Sequence, residues 1–343
     1  MITKPGLAAV PAAGLLPGGR DGRAPGLNPG QARQPSDAAP TVRTAFLGTP
    51  EIAVPALRLL AKRTDLRLVI TQPDRPAGRG NRLTPPAVKV AAQELGLPLW
   101  QPETTKGSGA AERLTSVDLA VVLAYGELLR EPVLNAPRLG CVNLHGSLLP
   151  RWRGASPLQA AIRAGDSTTG MTVMRMVRAL DAGPIFSLHP IPLPDDATLP
   201  WLHDRMADLA ATALDHHLTE AETATAVPQD DSQATYCRKL TADDGKLDFT
   251  KSMAELDRWV RAYTPAPGCW VPLPGGQRLR ILALKPRPGI TAPLGERANE
   301  PRTLLIGCAD GAVEITRLQS PGGSPLNSAD WLNGHGWPLF ELG

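Results

Sequence analysis

Two side chains that can polarise a carbonyl group and move a proton lie two positions apart. They are the amide of Asn143 and the imidazole of His145, in the run NLHGSLLPRWRG at residues 143–154. Residues i and i+2 of a strand face the same side, so a strand here would point both groups together. An amide donor stabilises a developing oxyanion, and an imidazole exchanges protons near neutral pH. The spacing is equally compatible with a structural histidine and a turn-capping asparagine.

A carboxylate is the third candidate for the same chemistry. Asp181 lies in a short turn, ahead of Gly183 and Pro184, between two predicted strands. A carboxylate beside an imidazole orients the ring and stabilises its protonated form. An aspartate in such a turn more often caps the turn. Asp181 therefore joins the site only if the fold carries it to His145.

Alternating strands and helices must position these groups. Apolar runs predict strands at residues 42–47, 66–70, 117–124 and 140–144, with helical patterns at 52–60 and 86–95. The nearly unbroken apolar run at 117–124 is typical of a parallel strand buried on both faces. Strands at 170–177 and 185–191 and a long helix at 199–218 follow. The pattern predicts a doubly wound, Rossmann-like α/β domain, with ligands at the carboxyl ends of its strands.

Composition divides the chain into four segments. Residues 1–40 are rich in Gly, Pro and Ala, which predicts a disordered tail or an over-long start, with an organellar transit peptide as the alternative. Residues 41–220 form the predicted α/β domain, and the polar stretch 221–245 a linker. Residues 246–343 combine a helix at 252–263 with short strands and Gly/Pro turns, which predicts a small, OB-like β-barrel.

Composition and motifs argue against several classes of protein. The net charge is +3, and no stretch of the 343 residues approaches the roughly 18 unbroken apolar residues of a membrane helix. The 4 cysteines are far apart and the 6 histidines form no metal-ligand pattern, so we expect free thiols, no metal and a cytoplasmic location. The chain has no GxGxxG and no GxxxxGK[ST], which argues against an NAD enzyme and a P-loop nucleotidase.

The catalytic run and its neighbours resemble the folate-dependent formyltransferases. The resemblance rests on residues 143–154, on VVLAYG at 121–126 and on LDAG at 180–183, and it extends from Val42 to the C-terminus. The runs FLGTP at 46–50 and TQPDRPAGRG at 71–80 are similar to the branch that acts on methionyl-tRNA. The resemblance implies that Asn143, His145 and Asp181 transfer a formyl group from 10-formyltetrahydrofolate to the amino group of methionine on initiator tRNA.

The resemblance also implies binding segments for both substrates. It places four consecutive residues against the folate: Ser147, Leu148, Leu149 and Pro150. It places the basic loop at 74–82 against the acceptor stem of the tRNA, through Arg75, Arg79 and Arg82, of which Arg79 is the foremost candidate. Direct acyl transfer needs alignment and charge stabilisation, so no metal is expected.

Two further arginines lie within the catalytic run. Arg151 and Arg153 are predicted either to meet the terminal phosphates of the tRNA or to form structural ion pairs. The predicted barrel carries only a small excess of positive charge, with 11 Lys and Arg against 9 Asp and Glu in residues 246–343. This excess is a weak indication of tRNA binding.

Other functions remain open at this point. A folate-dependent formyltransferase with a small-molecule amine acceptor, on a sugar nucleotide or a glycinamide ribonucleotide, would share the catalytic set, as would a formylfolate hydrolase domain. A non-catalytic RNA-binding protein would use only the barrel and the basic loop. A monomer is the default expectation for the oligomeric state.

Overall fold

The computed structural model describes residues 42–77, 82–296 and 303–335. The predicted tail at 1–40 lies outside the described residues, and so does Arg79 of the basic loop. Within the described ranges, no helix is both long and apolar enough to cross a membrane.

A seven-stranded mixed sheet forms the centre of the α/β part. The strands of this part are β1 (Arg43–Gly48), β2 (Asp65–Ile70), β3 (Arg75–Ala77), β4 (Arg82–Thr84), β5 (Leu99–Trp100), β6 (Leu119–Leu123), β7 (Cys141–His145), β8 (Arg153–Gly154), β9 (Thr168–Arg175), β10 (Ile185–Pro192) and β11 (Tyr236–Cys237). The order in the sheet is β10-β9-β7-β6-β1-β2-β5. The five strands β7, β6, β1, β2 and β5 pair with one another in parallel. Strand β9 pairs antiparallel with both β7 and β10.

Helices cover both faces of this sheet. The helices of the chain are α1 (Val54–Arg63), α2 (Ala87–Glu94), α3 (Ala110–Leu114), α4 (Glu131–Leu134), α5 (Pro157–Ala164), α6 (Leu199–Glu220), α7 (Met253–Tyr263) and α8 (Ser328–His335). Along β1, Phe46 packs into one core while Ala45 and Leu47 pack into the other. All five residues of β6 are buried, as the apolar run predicted. The predicted doubly wound α/β class is confirmed.

The structure gives the relative direction of β9 and β10. No helical pattern separates the predicted strands at 170–177 and 185–191. They form the antiparallel pair β9–β10, because a parallel return would require a crossover of a dozen or more residues.

The C-terminal part is an antiparallel sheet covered by α7. Its strands are β12 (Cys269–Leu273), β13 (Gln277–Arg287), β14 (Leu305–Cys308), β15 (Gly311–Gln319) and β16 (Leu326–Asn327). The order is β12-β13-β15-β14, with β16 paired to β15. Ser252 and Glu255 form a capping box that begins α7 where the sequence predicted a helix. The arrangement is consistent with the predicted small barrel.

Candidate active site

Asn143 and His145 share one face of β7, near its carboxyl end. Val142 and Leu144 pack into the core on the opposite face. Because β7 lies between β6 and β9, backbone pairing holds it on both edges. His145 is 6% exposed, and Asn143 is half-buried. Among the residues that the structure describes, the side-chain amide of Asn143 makes no hydrogen bond, so it is available to a ligand.

The two ring nitrogens of His145 face different acceptors. Nε2 lies 2.9 Å from the carbonyl oxygen of Trp152. A carbonyl oxygen only accepts, so Nε2 carries a proton and donates it. Nδ1 lies 3.7 Å from Oδ2 of Asp181. Nδ1 is therefore the ring atom at which His145 can take up and release a proton.

Asp181 reaches His145 by a route that the sequence did not indicate. The sequence predicted its loop at the carboxyl edge of the sheet only if the preceding strand joined that sheet. In the structure β9 runs antiparallel to β7, with Thr172 opposite His145 and Arg175 opposite Val142. Residues 176–184 therefore begin beside the start of β7 and fold back along it. Asp181 ends up buried, with Oδ2 accepting a hydrogen bond of 2.8 Å from the backbone N–H of Gly154.

Both groups that face His145 belong to residues with left-handed backbone conformations. The φ angle is +61° at Trp152 and +49° at Asp181. Such conformations are uncommon in non-glycine residues and persist only where the surroundings impose them. The indole Nε1 of Trp152 donates to Asp166 at 2.7 Å, and its backbone N–H donates to Thr235 Oγ1 at 2.9 Å. The orientation of His145 is thus imposed by tertiary contacts.

The segment predicted to meet the folate has two buried and two half-buried side chains. Ser147 donates from Oγ to the carbonyl of Arg151 at 2.6 Å, and Leu149 is 3% exposed. Leu148 and Pro150 are half-buried. The accessible side-chain surface of the segment therefore comes chiefly from Leu148 and Pro150.

The two arginines of the catalytic run form structural ion pairs. Nη2 of Arg151 donates a hydrogen bond of 2.6 Å to Oδ1 of Asp166, and this hydrogen bond raises the pKa of Arg151. Arg153 is 3% exposed and donates to Asp231 at 2.7 Å and to Gln229 at 2.8 Å. Of the two alternatives that the sequence left open, these contacts favour the structural one.

Residues beyond α6 complete the site, and the sequence reasoning missed them. Within the stretch assigned to a linker, β11 pairs in parallel with β8, so Cys237 lies opposite Gly154. A Cβ atom on Gly154, whose φ is +121°, would collide with the carbonyl oxygen of Cys237. The polar residues before β11 include Gln229, which donates to the carbonyl of Asp181 at 2.8 Å. No local pattern distinguishes Gln229 from the polar residues around it.

The described ends of the basic loop form a β-hairpin. Arg75 of β3 lies opposite Thr84 of β4, and Ala77 lies opposite Arg82. Arg75 pairs with Glu103 at 3.2 Å on the surface, and Arg82 is exposed. The tip at 78–81, with Arg79, lies outside the described residues.

The acidic member of the loop is neutralised at its base. Lys89 lies 2.7 Å from Asp74. Hydrogen bonds from Lys89 and Gln101 lower the pKa of Asp74. The excess positive charge of the hairpin therefore comes from its arginines.

Two family models match the chain. The model described as formyl transferase matches residues 43–218, and the model described as formyl transferase, C-terminal domain, matches residues 239–336. A methionyl-tRNA formyltransferase from Halorhodospira halophila is 46% identical over 304 residues, covering 85% of this chain and 96% of the relative. One from Methylococcus capsulatus is 45% identical over 310 residues, covering 88% and 100%.

Solved structures share the fold at low sequence identity. A sugar 3N-formyl transferase, WlaRD, solved with dTDP and 5-N-formyl-THF, has a TM-score of 0.59 at 15% identity, covering 80% of this chain and 97% of that one. HypX from Aquifex aeolicus in complex with tetrahydrofolic acid has a TM-score of 0.56 at 17% identity, covering 85% and 47%. At these identities the likeness concerns the fold.

Proposed function

The chain belongs to the formyl transferase family as a methionyl-tRNA formyltransferase, and we propose that Asn143, His145 and Asp181 catalyse its reaction. The enzyme transfers a formyl group to methionyl-tRNA. The observation that supports the catalytic set is its geometry. An amide that makes no hydrogen bond to the described residues shares one strand face with an imidazole, and the carboxylate of Asp181 lies 3.7 Å from Nδ1 of that imidazole.

Each of these side chains has a distinct task. Asn143 donates its amide N–H to the oxygen of the reacting formyl group as negative charge develops there. His145, protonated at Nδ1, places positive charge beside the same oxygen. Asp181 holds the ring in its orientation and helps to remove the proton of the attacking amine.

We propose 10-formyltetrahydrofolate as the formyl donor. When bound, it would supply a formyl carbon whose bond to the folate nitrogen breaks as the bond to the methionine nitrogen forms, with the proton lost by the amine passing to the released folate nitrogen. The residues at the strand end fit such a group, because the free amide of Asn143 can donate to a formyl oxygen. Leu148 and Pro150 offer apolar surface to a flat ring system, while the buried Ser147 and Leu149 support the segment from within. The proposed chemistry uses no metal.

We propose initiator methionyl-tRNA as the acceptor, with the β3–β4 hairpin at its acceptor stem. Arg82 is exposed, and the ion pair of Arg75 with Glu103 is solvent-exposed, so a phosphate can replace the carboxylate. Arg79 is assigned to the tRNA by the family resemblance. Because all proposed catalytic groups come from one chain, we propose that the protein acts as a monomer, in the cytoplasm where charged tRNA is present.

Acceptor choice tests this function directly. The protein is incubated with 10-formyltetrahydrofolate and either initiator or elongator methionyl-tRNA, and formylated methionine is measured after deacylation. We expect formylation of the initiator form only. Transfer to an amino-sugar nucleotide or a glycinamide ribonucleotide, or no transfer at all, would contradict the proposal.

The hairpin is tested by removing its charges one at a time. We expect Arg79→Ala and Arg82→Ala each to raise KM for methionyl-tRNA. Each should also reduce the slope of the logarithm of the binding constant against the logarithm of salt concentration by roughly one, because each removes a phosphate contact. Arg58→Ala is the control, since Arg58 is an exposed arginine of α1 paired with Glu94. An unchanged KM and slope in both hairpin variants would remove the hairpin from tRNA binding.

A further inference from the structure

We propose that Gln229 is a positioning residue for catalysis, a role that rests on the proposed function of Asp181. Gln229 lies in the polar stretch after α6, far in sequence from the catalytic run. Its side chain connects the turn that carries Asp181 with β8, the strand at the end of the catalytic run. The set of groups that places the catalytic carboxylate therefore extends beyond α6, into the stretch that the sequence assigned to a linker.

The amide nitrogen of Gln229 holds both ends of the Asp181 turn. Nε2 donates to the carbonyl oxygen of Asp181 at 2.8 Å and to that of Gly183 at 2.7 Å. Both N–H groups of the amide are thereby used. Gly183 packs closely on β9, since a Cβ at this position would collide with the Arg175 carbonyl. The left-handed conformation of Asp181 is thus fixed from outside the turn.

The amide oxygen of Gln229 is fixed by a buried cation. Oε1 accepts from Nε of Arg153 at 3.0 Å and from its terminal nitrogen at 2.8 Å. A guanidinium only donates and a backbone carbonyl only accepts, so the amide has one satisfactory orientation. Arg153 is also paired with Asp231, and hydrogen bonds from a charged donor are the stronger ones. Gln229 is therefore held rigidly before it acts on the turn.

The contacts close on the carboxylate itself. Gly154, the residue after Arg153, donates its backbone N–H to Oδ2 of Asp181. Asp181 is consequently held at its backbone through Gln229 and at its carboxylate through Gly154, with Arg153 adjoining both. The same Oδ2 faces Nδ1 of His145. Loss of the Gln229 N–H groups would leave two carbonyls without these partners and would release the turn that aims the carboxylate.

The chain offers a matched pair of substitutions for the test. Gln229→Glu keeps an acceptor for Arg153 but replaces the two N–H donors by an oxygen that faces two carbonyls. Gln233→Glu makes the same change of charge in the same segment, at an exposed residue whose amide bonds only Asp230 among the described residues. We expect Gln229→Glu to lower kcat between about tenfold and a hundredfold, as a displaced catalytic group does, with KM for both substrates nearly unchanged. Gln233→Glu should retain kcat.

Two further readouts separate positioning from general stability. Gln229→Glu should alter the pH profile of kcat, because it changes how Asp181 faces His145, and Gln233→Glu should not. In a background of Asp181→Asn, Gln229→Glu should cause no further loss of kcat, since the group that it positions is already disabled. If Gln229→Glu does not fold, Gln229→Met removes the same hydrogen bonds at similar size and is measured in the same way.

The possible outcomes distinguish the positioning role of Gln229 from the catalytic role of Asp181. Full kcat in the Gln229 variant, beside an inactive Asp181→Asn, would overturn the positioning role and leave the catalytic role of Asp181 standing. A loss that is as large in the Asp181→Asn background would also overturn it. Full kcat in Asp181→Asn itself would overturn the catalytic role and, with it, the positioning role.

Discussion

The imidazole of His145 is held by a hydrogen bond at Nε2 and faces Asp181 with Nδ1, whereas the neighbouring amide of Asn143 makes no hydrogen bond to the described residues. The bond from Nε2 to the Trp152 carbonyl assigns one proton and leaves Nδ1 to exchange the other with its surroundings. Because β7 is paired on both edges, its backbone fixes the direction in which the Asn143 side chain leaves the strand. Electrostatic stabilisation is most effective when its donors need no reorganisation during the reaction.

Removal of this amide gives the sharpest single-residue prediction. We expect Asn143→Ala to lower kcat by on the order of 10²–10³, as the loss of one oxyanion donor typically does. Asn135→Ala, at an exposed residue just after α4, is the matched control and should retain activity. Steady-state formylation of methionyl-tRNA measures both. Comparable kcat values in the two variants would exclude Asn143 from oxyanion stabilisation.

A second histidine gives a prediction about stability and pH. His217 of α6 is 4% exposed, with its ring centroid 4.7 Å from that of Phe186. Burial lowers the pKa of His217 from 6.5 to about 4. Between these values the unfolded chain binds a proton that the folded chain does not, so stability decreases as pH falls through this window, by about 3 kcal/mol in total.

The measurement is the free energy of unfolding by urea at several pH values. His217→Leu cannot bind the proton, so its free energy of unfolding should depend less on pH between 6.5 and 4 than that of the unaltered protein. Identical pH dependence of the two proteins would show that His217 is not the responsible group.

The short strands β8 and β11, of two residues each, position several groups of the site. Their pairing brings the segment after α6 onto the catalytic run, so that Thr235 and Gln229 reach Trp152 and Asp181 respectively. The pairing requires close approach of the two backbones at Gly154. Glycine is therefore needed at position 154 of β8, so that its backbone N–H can hold the carboxylate of Asp181.

Gly154→Ala tests this strand pairing. The added methyl group must push β11 away and weaken the bond from the Gly154 N–H to Asp181, so we expect kcat to fall by about a hundredfold. Gly334→Ala is the control, because Gly334 lies in α8 with open space around its Cβ position. Alanine favours a helix interior, so the control should be neutral or slightly stabilised. Unimpaired kcat in Gly154→Ala would contradict the close approach.

Helix α7 joins the C-terminal part of the chain to the α/β part. Arg163 of α5 lies with its guanidinium 4.1 Å from the ring centroid of Trp259 and donates to the carbonyl of Glu255. Burial lowers the pKa of Arg163. Arg261 of α7 donates to the carbonyl of Ala197 at 2.6 Å. Residues 41–343 accordingly form one compact unit.

We therefore expect one cooperative unfolding transition for both parts. Arg163→Met retains an apolar side chain but loses the cation–π contact, which should cost on the order of 1–2 kcal/mol in this partly buried setting. Arg205→Met removes an exposed contact with Trp201 and should cost less. Differential scanning calorimetry reports both values. A separate low-temperature transition in the unaltered protein would show that the two parts unfold independently.

Local sequence pattern specified much of the site. The alternation along residues 140–144 placed Asn143 and His145 on one face, because the pleat of a strand has a period of two. The apolar run at 117–124 predicted the buried β6 beside it, and the pattern at 252–263 predicted the helix that the structure shows as α7. These features depend on neighbours a few positions away, so a single sequence contains them.

The remaining features depend on contacts between distant segments. Asp181 and Gly154 are 27 positions apart, and Arg153 and Gln229 are 76 apart. Which way β9 runs, how its loop folds back to His145 and why Arg153 is buried all follow from packing and from the hydrogen bonds that buried polar groups must make. A sequence names the residue types that can do formyl transfer, but the distances at which they face one another arise only when the sheet, the loop and the segment after α6 pack together.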